Sequence, residues 1–280
     1  MPAGADPSGF GAAATPESRA RPGVRISYLG HATLLVELDG VRILTDPLLA
    51  DRLGPLRRHG PTPSAGDIGA LDAVLVSHAH PDHFHPASLR RLGEVARIIV
   101  PVGLGATAAR VGPPVEELAV GRSVRVGSVT VTAVPALHLR WPFMPSALTI
   151  GFLIEGSSGI YFAGDTKFFG AMADLAGRVD VALLPVGRWG PHPGPDRLGP
   201  ASAARAARVV GAGVAIPIHW GTFYPAGFWR IWPRPLREPA ALFAAALGSF
   251  APDIEVRVLE PGAATDINFE AVRRDVPSAG

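Results

Sequence analysis

Residues 70–85 read ALDAVLVSHAHPDHFH, and the fold turns on this stretch. The first eight residues, ALDAVLVS, are a short and nearly unbroken apolar run, the pattern of a strand buried on both faces. The histidines begin where that strand ends. Residues 77–85, SHAHPDHFH, hold four of the chain's nine histidines. In extended backbone, residues two apart project to the same side, so His78 and His80 can grip one cation together. Pro81 cannot continue a strand ladder but suits the start of a helix. A turn there sends Asp82 and His83 toward a neighbouring point, so the segment can serve two adjacent metal ions. Solvated histidine tracts rarely follow a buried strand with an aspartate and a proline set among them. The H-x-H-x-D-H pattern therefore predicts a metal site.

Working outward, VRISYLG (24–30), ATLLVELDG (32–40) and VRILTDP (41–47) are β-branched runs split by Gly30 and by Asp39–Gly40. Asp-Gly between apolar runs signals a hairpin, so a β-meander is predicted. A loop rich in Arg, Gly and Pro is expected over 48–69. From Pro86 the pattern turns helical (PASLRRLGEV), ARIIVP (96–101) reads as a strand and 103–111 as a short helix. SVRVGSVTVTAVPA (123–136) alternates as two strands around Gly127. ALTIGFLIEG (147–156) and GIYFAGD (159–165) read as a hairpin. VDVALLPVG (179–187) and GVAIPIHWG (213–221) read as buried strands, each after a helix-like segment, and IEVRVLEPG (254–262) closes the set. Strands and mixed elements thus alternate in two similar halves. The pattern predicts an α+β domain of two sheets packed face to face with helices outside. No low-complexity linker divides it, so one domain is expected over 23–265, with a disordered N-terminal tail over 1–22 and a C-terminal tail over 266–280.

Composition narrows the function. The 280 residues are 48% hydrophobic and 18% charged, which suits a globular protein with a real core. The formal charge is +2, and the sequence pI near 9.5 reflects a small excess of arginine over acids. No Lys/Arg run resembles a nucleic-acid arm, and Arg57–Arg58–His59 reads as a solvated loop. There is no cysteine, which excludes disulfides, thiolate metal sites and a cysteine nucleophile. No apolar signal segment is visible at the N-terminus, and no window approaches the ~20 apolar residues of a membrane span. A soluble, cytoplasmic protein is expected.

The four ligand-type residues of the cluster, His78, His80, Asp82 and His83, cannot complete two metal sites. His138, Asp165 and His219 are ligand-type residues, each at the C-terminal end of an apolar strand, where functional sites of layered folds gather. A lone histidine is more often a hydrogen-bonded partner, and a lone aspartate after a strand is usually a turn or a cap. The histidine cluster raises all three to candidate ligands.

The run His78-Ala79-His80-Pro81-Asp82-His83, followed by His138, Asp165 and His219, resembles the metallo-β-lactamase superfamily of hydrolases. YLGHATLLVELDGVRILTDP (28–47), FAGDTKF (162–168) and PIHWGTF (217–223) are similar to the branch containing L-ascorbate-6-phosphate lactonase and N-acyl-phosphatidylethanolamine-hydrolysing phospholipase D. The resemblance spans about residues 24–262 and implies a four-layer αββα sandwich with a dinuclear site at the edges of the sheets. It implies that His78, His80 and His138 hold one ion, that Asp82, His83 and His219 hold a second, and that Asp165 bridges them. The absence of cysteine agrees with an aspartate bridge. Nitrogen and oxygen ligands suit two divalent ions, Zn²⁺ first, with Mn²⁺ and Fe²⁺ also compatible. Two such ions lower the pKa of a shared water from ~15.7 toward ~7, and the hydroxide attacks phosphorus or a carbonyl carbon. Asp82 is expected to orient that water as well.

The same resemblance gives Asp46, in LTDP, the role of hydrogen-bonding the histidine loop, although an Asp-Pro turn explains it equally. His31, in GHAT, either approaches the site or satisfies backbone groups. Trp141, Trp189, Trp220, Phe223 and Tyr224 follow strand ends and as a group suggest an aromatic pocket. Packing under long loops is the plainer reading for each of them alone. Lys167 contacts an anionic substrate or points to solvent, and His192 is the candidate for leaving-group protonation or phosphate contact. The leading expectation is a hydrolase of a phosphodiester or related ester with an apolar part, a phospholipase D-like phosphodiesterase acting on a small or lipid-like substrate. The alternatives are a lactonase acting on a sugar-phosphate or acyl lactone and, from another class, a non-catalytic metal-binding scaffold. A nuclease would need a basic tract that is absent, so no nucleic-acid partner is expected. FYPAGFWRIWPRPLR (223–237) mixes aromatics with arginine as an interfacial segment does, but its prolines prevent a continuous helix. Any peripheral membrane contact is expected there.

Overall fold

Two seven-stranded sheets carry the fold in the computed structural model, which describes residues 23–139, 148–187 and 196–269. In spatial order the first sheet runs Ala264–Ile267, Val24–Gly30, Thr33–Leu38, Val41–Thr45, Ala73–Leu75, Ile98–Pro101 and Val115–Leu118. The predicted meander forms, with Val36 opposite Ile26 on one side and Ile43 on the other. Asp39 (φ 52°) and Gly40 (φ 79°) make its second turn, where both central residues need positive φ. The sheet then becomes parallel, with Leu44 in register with Val74, and Val74 with Ile98. Parallel strands are covered on both faces, which is why residues 73–75 are uniformly apolar and fully buried.

The second sheet runs Glu255–Val256, Val214–Ile218, Val181–Pro185, Gly159–Phe162, Ile150–Glu155, Val129–Pro135 and Ser123–Val126. It too begins with antiparallel hairpins and ends parallel. Ile26, Tyr28, Leu34 and Val36 of the first sheet share one core with Phe152, Ile154 and Tyr161 of the second. On the far side of the first sheet, Leu35, Leu44, Val74 and Val76 pack with Leu89, Leu104 and Ala108 of short helices. On the far side of the second, the helix Pro200–Val210 packs on Val181–Pro185 and the helix Arg234–Phe250 on Val214–Ile218. The order is helix, sheet, sheet, helix, in one domain of the α+β class. Among the described residues no helix is long and apolar enough to cross a membrane.

Four local features depart from the sequence reading. The helix after Pro86 stops at Leu89, because residues 94–96 return to the sheet edge, where Leu71 donates to Glu94 O and accepts from Ala96 N. The 48–69 loop contains two short strands, Arg52–Leu53 and Leu56–Arg58, which form a third sheet with Phe223–Pro225. Arg58 is consequently not a solvated residue. Its guanidinium donates to the carbonyls of Leu29, Leu48 and Ala50 and lies 4.8 Å over the Phe223 ring. The 17-residue helix Arg234–Phe250 starts amid the prolines of the aromatic segment, with Pro235 in its first turn, where no N–H is missed. Finally, the strand Ala264–Ile267 pairs with Val24–Gly30 and carries ordered sheet past residue 265, with Ile267 fully buried.

Candidate metal centre

The histidine segment is held from both sides. Ser77 N–H and Oγ–H donate to the two carboxylate oxygens of Asp46 at 2.7 and 2.6 Å. Ser77 O accepts from Ile150 N at 3.0 Å, which ties the segment to the second sheet. After His80 the chain closes a turn, with His83 N and Phe84 N both donating to His80 O. Asp46 Oδ2 also meets His83 Nδ1 at 2.7 Å. With the Ser77 hydroxyl proton directed to Asp46, its oxygen is left to accept from His78 Nδ1, 2.9 Å away. Both imidazoles thus have Nδ1 engaged and turn Nε2 inward, the state a metal ligand needs. Asp46 thus bonds to both Ser77 and His83 of the histidine segment.

Two clusters result. His78, His80 and His138 form the first, with His78 Nε2 2.9 Å and His138 Nε2 3.2 Å from His80 Nδ1. His31, Asp82, His83 and His219 form the second. In each, one candidate ligand atom per residue lies within 4.8 Å of all the others. The Asp165 carboxylate stands between them. Its Oδ2 is 3.7 Å from His138 Nε2 and 3.5 Å from His83 Nε2, and its Oδ1 is 3.4 Å from His219 Nε2. His138 and Asp165 come from strand ends of the second sheet, as does His219. His78 to His83 come from the first. The seven expected ligand residues are therefore brought to one place by the facing edges of the two sheets.

His31 lies closer than a backbone role requires. It takes φ 59° in the turn after Gly30, donates its N–H to Thr222 Oγ1 and accepts from His219 N at 2.7 Å. Its Nε2 meets Asp82 Oδ2 at 3.0 Å, and its ring centroid lies 3.8 Å from that of His219. His31 therefore both satisfies the backbone and orients Asp82.

The electrostatics fit a cation. Burial pushes His78 well below its ordinary range and His80 down to about 4, and burial followed by the His219 charge takes His31 down to about 3. Burial also lowers His138. Burial thus favours the neutral imidazole in all four, the form that binds metal. For Asp82 and Asp165 burial acts upward, but the facing histidines, and Arg197 beside Asp165, outweigh it and hold both well below the usual carboxylate range. His83 Nε2, both nitrogens of His219 and Asp165 Oδ2 are buried without any hydrogen-bond partner. Orphaned buried polar atoms are costly, and here they converge on one space. The donor set, nitrogen and carboxylate oxygen, suits divalent transition ions.

Several site neighbours had no sequence reading. Arg197 Nη1 lies 3.1 Å from Asp165 Oδ2 and is buried with it. Asp196 stands beside His138 Nδ1, with its backbone and carboxylate oxygens both at 3.3 Å. Ser77, adjacent to the cluster, was the one residue a close look at the motif could have singled out. Lys167 is exposed and lines a cavity of about 360 Å³ together with His138, Leu139, Leu148 and Asp196. The expected aromatic wall is different. Trp220 is buried against Tyr28, its Nε1 donating to Pro217 O, and Tyr224 is buried in the small third sheet. Phe223 is buried edge-on to His31. Phe223 and Tyr224 are buried as part of the third sheet, and Trp220 is buried against Tyr28 of the first. Trp141, Trp189 and His192 lie outside the described residues.

Residues 41–220 match the model of the Beta-lactamase superfamily domain. The chain belongs to the metallo-β-lactamase superfamily. It is 32% identical to a UPF0173 metal-dependent hydrolase of Methanopyrus kandleri over 85% of this chain and 98% of that protein. It is 32% identical to N-acyl-phosphatidylethanolamine-hydrolyzing phospholipase D 1 of Caenorhabditis elegans over 73% of this chain and 65% of that enzyme. Among solved structures, Igni18, a metallo hydrolase of the archaeon Ignicoccus hospitalis, superposes with a TM-score of 0.69 at 25% identity, covering 88% and 98% of the two chains. Mycobacterial relatives share 34% identity, and the chain spans 63% of their length. The relative from Methanopyrus kandleri is named a metal-dependent hydrolase, and the buried histidine–aspartate cluster of this chain is the candidate metal centre.

Proposed function

We propose that this hydrolase uses two divalent ions to cleave a phosphodiester, or a related ester, that carries an apolar group. The observation that carries the reading is the position of Asp165, within 3.7 Å of imidazole nitrogens in both clusters. His78, His80 and His138 would hold one ion, Asp82, His83 and His219 the other, and Asp165 would lie between. Zinc is the first expectation, with manganese and iron compatible with the same donors. The bound ions would supply an acidified water and positive charge for the developing oxyanion. Asp82, fixed by His31, would direct the attacking water and take its proton. Asp46 and Ser77 keep the His78 and His83 lone pairs aimed inward. Leu137, Leu139 and Leu148, exposed around the His138 cavity, would receive the apolar group, and Lys167 at the same cavity would meet the anionic one. The phospholipase relative from Caenorhabditis elegans supports this substrate class. His192 is kept as the candidate acid for the leaving group.

Hydrolysis of a chromogenic phosphodiester beside a panel of lactones, in protein reconstituted with Zn²⁺ or Mn²⁺, tests the reading. His83→Ala is the control. Diester turnover lost in the control supports it. Turnover of lactones alone transfers the site to a lactonase acting on a sugar-phosphate or acyl lactone. Silence on both, in protein carrying two metals per chain, removes the ester substrate class.

A further inference from the structure

Four large apolar side chains lie exposed within five consecutive residues. Phe228 is 55% exposed, Trp229 38%, Ile231 83% and Trp232 44%. They sit on a short turn, Phe228–Arg230, entered through Gly227 at φ 84° and left through Pro233 into the helix Arg234–Phe250. Exposed apolar residues scattered singly are ordinary, but a contiguous group marks a contact surface. The turn is not loosely held. Trp229 meets the His59 ring edge-on at 5.7 Å, with the Arg230 guanidinium 5.4 Å from its own ring, and Trp232 N donates to Phe228 O at 2.8 Å. The apolar side chains are thus presented at the surface by a turn that packs on His59 through Trp229.

The charge around them is basic. Arg230, Arg234 and Arg237 are exposed on the turn and the first helical turns beyond it. Arg57 and Arg52 are exposed on the adjoining strands, with Arg57 in register with Tyr224 and opposite Arg52. The acidic groups nearby are Asp51, Glu238 and Glu260, and only Glu238 is paired with an arginine of the turn, Arg234 at 3.2 Å. Aromatic and aliphatic tips ringed by arginines match the interfacial layer of a bilayer, where indoles sit at headgroup level and cations meet phosphates. A second copy of this chain fits less well. A two-fold contact would set these arginines against their own counterparts.

We propose that residues 228–237 form a docking surface for an anionic lipid bilayer, with Phe228, Trp229, Ile231 and Trp232 entering the headgroup layer and Arg230, Arg234 and Arg237 bound to lipid phosphates. The docking does not depend on which bond the metal centre cleaves. Co-sedimentation with vesicles of phosphatidylcholine alone, and of an equal mixture with phosphatidylglycerol, tests it. The full chain is expected to sediment with the mixed vesicles and less with the neutral ones, and raised salt should weaken the binding. Ile231→Asp should lower the affinity about tenfold or more, and Arg230→Glu about fivefold or more, with thermal melting unchanged because both side chains face solvent. Absence of binding to mixed vesicles overturns the proposal, as does binding that both variants retain. A dimer of the wild-type chain that Ile231→Asp dissolves, without vesicle binding, would assign the surface to self-association instead.

Discussion

Asp46 and His83, thirty-seven residues apart, meet in a fully buried contact, with Oδ2 2.7 Å from Nδ1. The same carboxylate takes both hydrogen bonds from Ser77. One aspartate therefore sets the direction of a candidate ligand and of the segment that carries the other histidines. Asp46→Asn keeps the size and tolerates the φ of 34°, but turns an NH₂ toward groups that donate. Metal affinity, measured by competition with a chromogenic chelator, should fall about 10–100-fold. Unchanged affinity would mean that His83 holds its orientation without Asp46.

Arg197 faces the same carboxylate that lies between the two clusters. In metal-free protein, Arg197→Met leaves Asp165 buried against fewer cations. Breaking a buried pair in this way costs about 3–5 kcal/mol. Urea unfolding should show the full loss without metal and a smaller one with Zn²⁺ bound, since the ions supply positive charge to Asp165. Equal losses in both forms would show that Arg197 acts through packing alone.

Gly164 immediately precedes Asp165 and has φ +58°. An added Cβ would lie 2.8 Å from Ser77 Cβ and 3.1 Å from Ile150 O. Gly164→Ala should cost about 2–4 kcal/mol, the sum of left-handed strain and overpacking, and should lower metal stoichiometry by moving Asp165. Gly170→Ala, where a Cβ would meet nothing within 4 Å, is the control and should be close to neutral. Similar losses for both would show that neither the positive φ nor the Ser77 contact of Gly164 is the cause, since the unfolded-chain effect of Gly→Ala is stabilising.

The metal-free protein should lose stability as pH falls. His31, His78, His80 and His138 are held neutral below the ordinary histidine value of 6.5, with His31 at about 3 and His80 at about 4. Between 6.5 and those values the unfolded chain binds more protons than the folded one, so unfolding becomes easier with acid. His31 alone should contribute about 2 kcal/mol of loss between pH 6.5 and 5. His83 is raised by Asp165, Asp82 and Asp46 against its burial, and its contribution is instead lost as pH rises through its folded value. Urea midpoints at pH 5 and 7 decide it. A higher midpoint at pH 5 would show that His83, together with Asp46, whose carboxyl burial raises, outweighs the four lowered histidines.

Much of this was legible in the chain because it depends on local pattern. The apolar run before His78 announced a strand buried on both faces, and Asp39–Gly40 announced a turn that only positive φ allows. Ligand-type residues one to three positions past strand ends pointed to the candidate centre, because a strand's direction fixes where the chain leaves the sheet. The aromatic residues misled for the same reason. Trp220 and Phe223 also follow strand ends, yet Phe223 is buried in a third small sheet completed by a segment that reads as loop, and Trp220 is buried against Tyr28.

By itself the sequence determined the residue types at the centre, the strands that deliver them and the rigid turns between, since each follows from neighbours within a few positions. Only the tertiary structure decided that Asp46 would bind Ser77 and His83, that Arg197 would face Asp165, and that His31 would reach Asp82. Those pairs depend on the register between strands and on the facing of two sheets. Register and facing are set by packing of the whole core, in which every strand's position depends on all the others.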